Sequence, residues 1–334
     1  MVQKTIIDCI AIGRVCRQTI VPINKYLQEN LIAGPVLYAA SGMRSLMENI
    51  GVISAVPVSD LREISALFNK FSIDNTGIVY QGSQIDRQFI GYTSLDSQPI
   101  ENPIPFFSSM QMKLPASLLP GNFWNVPEEA SLGYYPSELH QSYLNASAAH
   151  LCADELEHQL KASTLLDKTA ISVLTLLSDP KYMTLSYWEQ VMTLMSGLTT
   201  FITTPAELSS LFKNRTENII EMSKILHSHG CEYLVLIKKR EGFELIDFQK
   251  QKRCQIPQYP SQINDPTGMD EVFCGALLAE LRRSHDPVRA AIYGSVLSSI
   301  KGEGCGPFYV LESTPGLVDA RFERMQDWIE YDSF

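Results

Sequence analysis

Apolar and polar residues recur along this chain in two periods. Short continuous apolar runs such as Ala170 to Leu177 alternate with longer stretches whose apolar residues return every three or four positions. Ile6 to Ile12 predicts a first strand. Thr19 to Leu31 is amphipathic and ends at the break Ala33-Gly34-Pro35. Leu37 to Asn49 reads as a helix whose Ala39, Ala40, Ser41 and Gly42 permit close packing. Gly51 to Val58 follows as a strand and Ser59 to Phe71 as a helix. Ile78 to Tyr80 and Arg87 to Thr93 alternate, and are expected to pair as a small antiparallel sheet.

Beyond Tyr143 the pattern is regular. Leu144 to Leu151, Ala170 to Leu177, Leu198 to Thr203 and Tyr233 to Ile237 read as strands, the last with a hairpin arm at Phe243 to Phe248. Between them Asp154 to Ser163, Ser186 to Met195, Pro205 to Phe212 and Glu217 to His229 read as helices. The last third is largely helical, over Met269 to Arg283, Pro287 to Ile300 and Leu317 to Trp328. Continuous apolar strands alternating with helices predict an α/β protein with a mostly parallel sheet covered on both faces. Residues 97–140 break the rhythm with seven prolines and several aromatics, and are expected to wrap the surface as an ordered loop.

Composition narrows the function. The 334 residues, 45% hydrophobic and 19% charged, supply a large core, and the net charge of -10 argues against a nucleic-acid partner. No run approaches the roughly 18 apolar residues of a membrane span. The apolar N-terminus carries Asp8 and no small-residue cleavage site, so it reads as a strand and not as a signal peptide. Seven irregularly spaced cysteines fit reduced thiols in the cytoplasm.

The run Asp265-Pro266-Thr267-Gly268-Met269-Asp270-Glu271-Val272-Phe273 concentrates the candidate chemistry. Gly268 supplies a permissive backbone for a tight turn, and the apolar residues after it fit a buried helix face. Free N–H groups at such a helix start bind anions, and an acid in the first turn can take a proton from a hydroxyl attacking phosphorus. The same residues support a plainer reading. Thr267 with Asp270 three positions on has the capping-box spacing, and acids in a first turn suit the helix dipole.

In order and spacing this run resembles the C-terminal signature of the ribokinase-like, PfkB-type carbohydrate kinases, where it usually reads Asp-[Thr or Pro]-Thr-Gly-Ala-Gly-Asp-x-Phe. The likeness extends over nearly the whole chain. Ala33-Gly34-Pro35-Val36-Leu37-Tyr38-Ala39-Ala40-Ser41-Gly42 is similar to the family's substrate-side turn, and Thr203-Thr204-Pro205-Ala206-Glu207 to its Pro-Asn-x-x-Glu. Leu236 to Gly242 is similar to its nucleotide-side strand and turn, and Gly302 to Pro307 continues the match. The resemblance implies a three-layer α/β/α fold with a small β lid drawn from segments within about 13–35 and 77–100, all in one domain spanning 1–334. It implies ATP, Mg²⁺ and transfer of a phosphoryl group to a hydroxyl of a sugar or nucleoside, with lid-mediated homodimers among its relatives. Carried over by position, the catalytic base falls on Glu271 and the anion hole on the amides of Gly268, Met269 and Asp270. Substrate contacts fall on Gly34 and Tyr38, nucleotide contacts on Lys238, Gly242 and Gly304, and the Mg²⁺-linked acid on Glu207.

The sequence departs from the pattern where the chemistry should be. Glu271 stands for aspartate, and a misplacement of about 1 Å can cost on the order of a hundredfold in rate. Asp270 stands for glycine. Its carboxylate can repel the incoming phosphate by roughly 4 kcal/mol at 4 Å and an effective dielectric of 20. It can instead plug the anion hole by accepting from the amides, or itself be the base. Thr204 replaces asparagine and, with Pro205 and Glu207, also matches a capping box. Gly13-Arg14-Val15-Cys16-Arg17-Gln18 lacks the usual substrate aspartate, and Asp60 only approximates the acid after the third strand. These departures leave a second expectation open, a catalytically inactive descendant that binds a ligand or a protein partner. His150, Asp154 and His158 are spaced like metal ligands, but a strand end at His150 and a helix start near Asp154 separate them.

Overall fold

The computed structural model describes residues 6–81, 84–119, 139–167 and 169–333. Its strands are β1 (Cys9–Ile12), β2 (Cys16–Val21), β3 (Gln28–Ala33), β4 (Ile50–Val56), β5 (Ile78–Tyr80), β6 (Arg87–Gly91) and β7 (Ala148–Leu151). They continue as β8 (Val173–Leu177), β9 (Thr200–Thr203), β10 (Tyr233–Ile237), β11 (Phe243–Asp247), β12 (Lys252–Ile256) and β13 (Glu330–Ser333). Ten of these form one sheet in the order β13-β12-β11-β10-β9-β8-β7-β1-β4-β5. From β10 to β5 every pairing is parallel, and β11 to β13 add an antiparallel edge. The central strands are buried on both sides, so their side chains feed two separate cores. One core packs under Pro35–Arg44, Met269–Ser284 and Pro287–Gly302, and the other under Leu156–Leu166, Trp188–Leu194, Pro205–Leu211 and Ile219–Ser228.

The remaining strands form a separate three-stranded sheet, β3-β2-β6. Thr19 to Leu31 thus holds most of an antiparallel hairpin, with a bulge where Asn30 takes φ 58°. Ile78–Tyr80 and Arg87–Gly91 do not pair with each other, contrary to expectation. Strand β5 lies parallel to β4 at the edge of the large sheet, and β6 lies parallel to β2 in the small one. Buried Tyr143 accounts for the first placement. Its hydroxyl accepts from the Gly77 amide (3.2 Å) and bonds the Asp74 carboxylate (2.7 Å), which pins the approach to β5 against β4.

Within residues 97–140 the chain forms a short helix, Pro103–Ser109, and residues 120–138 lie outside the described segments. Phe106, Phe107 and Leu118 close over Val21 and Phe89 on one face of the small sheet. A Cβ on Gly91 would fall 2.6 Å from the Phe106 ring, so glycine is required at that contact. That face of the small sheet is covered by the protein's own chain. Gln18 and Gln88 lie on the opposite face, toward the large sheet.

Two helices set the position of the candidate site. Pro35–Arg44 and Met269–Ser284 approach until backbone touches backbone. A Cβ on Gly275 would lie 1.9 Å from the Ala39 carbonyl oxygen, and one on Gly42 would lie 2.3 Å from that of Val272. Neither contact tolerates a methyl group without separating the helices. Gly275→Ala is expected to lower stability by about 1–3 kcal/mol, read as a lower urea midpoint at unchanged slope.

Candidate active site

The turn Asp265 to Gly268 is built by side chains that satisfy its own backbone. The Asp265 carboxylate accepts from the Thr267 amide (3.0 Å), and the Met269 amide donates to the Pro266 carbonyl (3.2 Å). Gly268 adopts φ 77° and ψ 8° and precedes the helix Met269–Ser284. A Cβ there would fall 2.1 Å from the Tyr38 ring, so both conformation and contact demand glycine. Tyr38 is itself buried and donates to Gln18 Oε1 (3.1 Å), which ties this turn to the small sheet.

The expected capping box at Thr267 and Asp270 does not form. The helix begins at Gly268 with no side-chain cap, and the Thr267 hydroxyl instead donates to the Tyr92 hydroxyl at 3.2 Å. The reason is positional, because the left-handed residue after Thr267 turns its side chain away from the helix amides. Asp270 makes no hydrogen bond to these amides among the described residues, so it does not plug them. Of the three amides expected in the anion hole, that of Met269 is engaged by Pro266, while those of Gly268 and Asp270 have no backbone partner among the described residues.

These groups floor a cleft of about 370 Å³ between the small sheet and the large one. Asp270 and Glu271 lie at the floor, Ile90 and Tyr92 on one wall, and Ile237, Phe243 and Ile263 on the other. Lys239 and Arg240 supply positive charge at the rim, where Arg240 pairs with Asp96 at 3.0 Å. Burial, with Asp270 alongside, pushes the half-buried Glu271 carboxyl up to about 7, against its own backbone N–H and Lys301. Asp270 is open to solvent, yet the crowding walls and then Glu207 raise its carboxyl above the ordinary value, with Lys239 opposing.

The other candidate residues divide. The Glu207 carboxylate, at the end of β9, completes a capping box with Thr204 and accepts from the Ser178 (2.5 Å) and Thr203 (2.9 Å) hydroxyls. It does not line the cleft, though its charge acts on Asp270 at the cleft floor. Lys238 points elsewhere, pairing with Glu244 and donating to Gln255 at 3.3 Å, and the next residue, Lys239, enters the cleft. Gly242 (φ 93°) and Gly304 are packing positions, where a Cβ would meet Ile256 O at 2.2 Å and the Tyr309 ring at 2.2 Å. Gly34 (φ 114°) sits against the Arg14 carbonyl oxygen, 2.5 Å from where its Cβ would be. Arg14, in place of the missing substrate acid, reaches buried Asp154 at 3.0 Å, and Asp60 is engaged by Arg17. Among the described residues no three His, Cys, Asp or Glu side chains gather as a metal site; His158 lies 3.6 Å from Asp154, while His150 bonds the Thr175 hydroxyl at 2.9 Å.

Sequence reading misses Tyr92 and Arg240 at the cleft and the buried partner of Asp265. That partner is Lys301, 3.2 Å away, with both side chains fully enclosed. Because folding raises the Glu271 carboxyl from 4.5 to about 7, it opposes folding increasingly as the pH rises between those values and fully above them, whereas at about pH 3 both states hold the proton. Glu271→Gln is therefore expected to stabilise the protein at pH 8.5, by about 1 kcal/mol or less after solvent screening. At about pH 3 its melting point should equal that of the unsubstituted protein.

Comparison with known proteins fits this geometry. No protein-family model matches the chain. A cytidine kinase from Thermococcus kodakarensis is 26% identical over 145 residues, 43% of this chain and 50% of that protein, so the match spans half the length of the curated relative. A nucleoside kinase from Methanocaldococcus jannaschii, an archaeal member of the ribokinase family, superposes over 95% of this chain and 99% of its own. Its TM-score is 0.68 at 15% identity. Fructokinase with bound ATP from Xylella fastidiosa gives a TM-score of 0.68 at 14% identity over 97% and 100%. Among the described residues no helix is long and apolar enough to cross a membrane. The three-layer architecture, the small sheet and these superpositions together identify the chain as one with the ribokinase-like fold.

Proposed function

We propose that the protein transfers the terminal phosphoryl group of ATP to a hydroxyl of a small sugar-like or nucleoside-like molecule. The observation that carries this reading is the open helix start at Gly268 and Asp270, with a carboxyl of raised pKa one residue further at the floor of a cleft. Backbone amides held in place without a side-chain cap suit the charge that develops on a transferring phosphoryl group. Glu271, poised near neutrality, suits the removal of a proton from the acceptor hydroxyl.

The cleft walls support the nucleotide side of the reading. Ile237, Phe243 and Ile263 offer an apolar surface to a base, and Lys239 and Arg240 offer charge to phosphates. Glu207 fits the hard oxygen chemistry of Mg²⁺, since its carboxylate is fixed by two hydroxyls and by its own helix start. When bound with ATP, that ion would offset the negative charge gathered between Glu207, Asp270 and the phosphates. The small sheet serves as a lid over the acceptor, with Tyr92 joining it to Thr267 of the turn. The cytidine kinase relative and the fructokinase neighbour favour ribose- or hexose-like acceptors as the first to test.

The test is Mg²⁺-dependent ADP formation over a panel of sugars and nucleosides. One acceptor should give turnover that rises with pH through about 7, as Glu271 loses its proton. Glu271→Gln should lower that turnover by about 10²–10⁴-fold. Turnover that survives in Glu271→Gln and disappears in Asp270→Asn would move the base to Asp270. Absence of ATP binding at millimolar concentration would refute the reading.

A further inference from the structure

Lys301 is among the largest fully buried side chains of the protein. It ends the helix Pro287–Gly302, where a lysine ordinarily reaches solvent. Here its ammonium group turns inward and meets three oxygens. It donates to the Asp265 carboxylate (3.2 Å), to the Asp265 carbonyl (3.2 Å) and to the Gly304 carbonyl (2.9 Å). All three donors are satisfied, and the charge also lies 5.6 Å from the centre of the Tyr38 ring.

Two of these partners, Asp265 and Tyr38, shape the turn of the candidate active site. The other oxygen of Asp265 holds the Thr267 amide, and Tyr38 packs on Gly268. The Asn264 and Asp265 amides donate to the carbonyl of Gly302, next to Lys301 (2.7 and 3.0 Å). Without the ammonium, two carbonyls and a carboxylate would face one another in a dry space, and the chain between Asp265 and Gly268 would have to move.

We propose that Lys301 is a positioning residue for phosphoryl transfer: its ammonium clamps Asp265 and so holds the amides of Gly268 and Asp270 open toward the phosphate. This assignment rests on the kinase reading for its chemistry, but the clamp itself does not. The group acts through the turn and touches no reactant.

Lys301→Ala removes three methylenes and the ammonium group, leaving space in which methylammonium can donate to the same oxygens and tetramethylammonium, with no N–H, cannot. Methylammonium chloride should raise the melting temperature of Lys301→Ala and leave the unsubstituted protein unchanged, whether or not the protein is a kinase. In the active protein, Lys301→Ala should lower kcat at least 30-fold with the acceptor KM within threefold. Methylammonium should restore kcat over the same concentration range that restores melting. Should the protein bind ATP without turnover, the kinase reading fails, and ATP affinity by calorimetry replaces kcat as the readout, with the same loss and rescue expected. If Lys301→Ala does not fold, the neutral pair Asp265→Asn with Lys301→Met keeps the packing without the charges. It should fold and yet show the same loss. Unchanged kcat or affinity in either variant, melting rescued without them, or equal rescue by tetramethylammonium would overturn the proposal.

Discussion

The candidate site depends on one buried ion pair. Asp265 and Lys301 are both fully enclosed, and an isolated charge in either place would be costly. Their cost is offset because every donor on the ammonium and both oxygens of the carboxylate find partners. The pair joins the end of one helix to the start of another, and the geometry of the cleft floor follows. Gly268 can take its left-handed conformation, Tyr38 can close on it, and two backbone amides are left without a partner among the described residues.

The constraint also resolves the tension posed by Asp270. A carboxylate one residue from a helix start would ordinarily be drawn to the free amides there. The turn is instead held from beneath by Asp265, and the Asp270 side chain stands in the open cleft with Lys239 as its counter-charge. Glu271 is less exposed, and burial first and then Asp270 push its carboxyl up to about 7.

Much of the fold is legible in the sequence because the central strands are buried on both faces. Runs such as Val173–Leu177 and Tyr233–Ile237 must be apolar throughout, and no helix period competes with them. The capping box at Thr204 and Glu207 is legible for the same local reason. The small sheet is less so, since β6 pairs with β2, a strand distant in sequence, and Phe106 and Phe107 from beyond β6 cover the pair. Lys301 is illegible by its nature. A lysine at a helix end reads as a solvated cation suited to the dipole, and its true partner lies 36 residues earlier. Lys238 and Lys239 show the limit at single-residue scale, because the positive φ of Lys239 (51°) decides which of them faces the cleft.

The account stands or falls on what occupies the amides of Gly268 and Asp270. The most direct measurement is a crystal structure with Mg²⁺, a non-hydrolysable ATP analogue and an acceptor that supports turnover. The account predicts the terminal phosphate on those two amides, Glu271 against the acceptor hydroxyl, and the Asp265–Lys301 pair unbroken beneath. A phosphate held elsewhere, or an Asp270 carboxylate seated on the amides in its place, would contradict it.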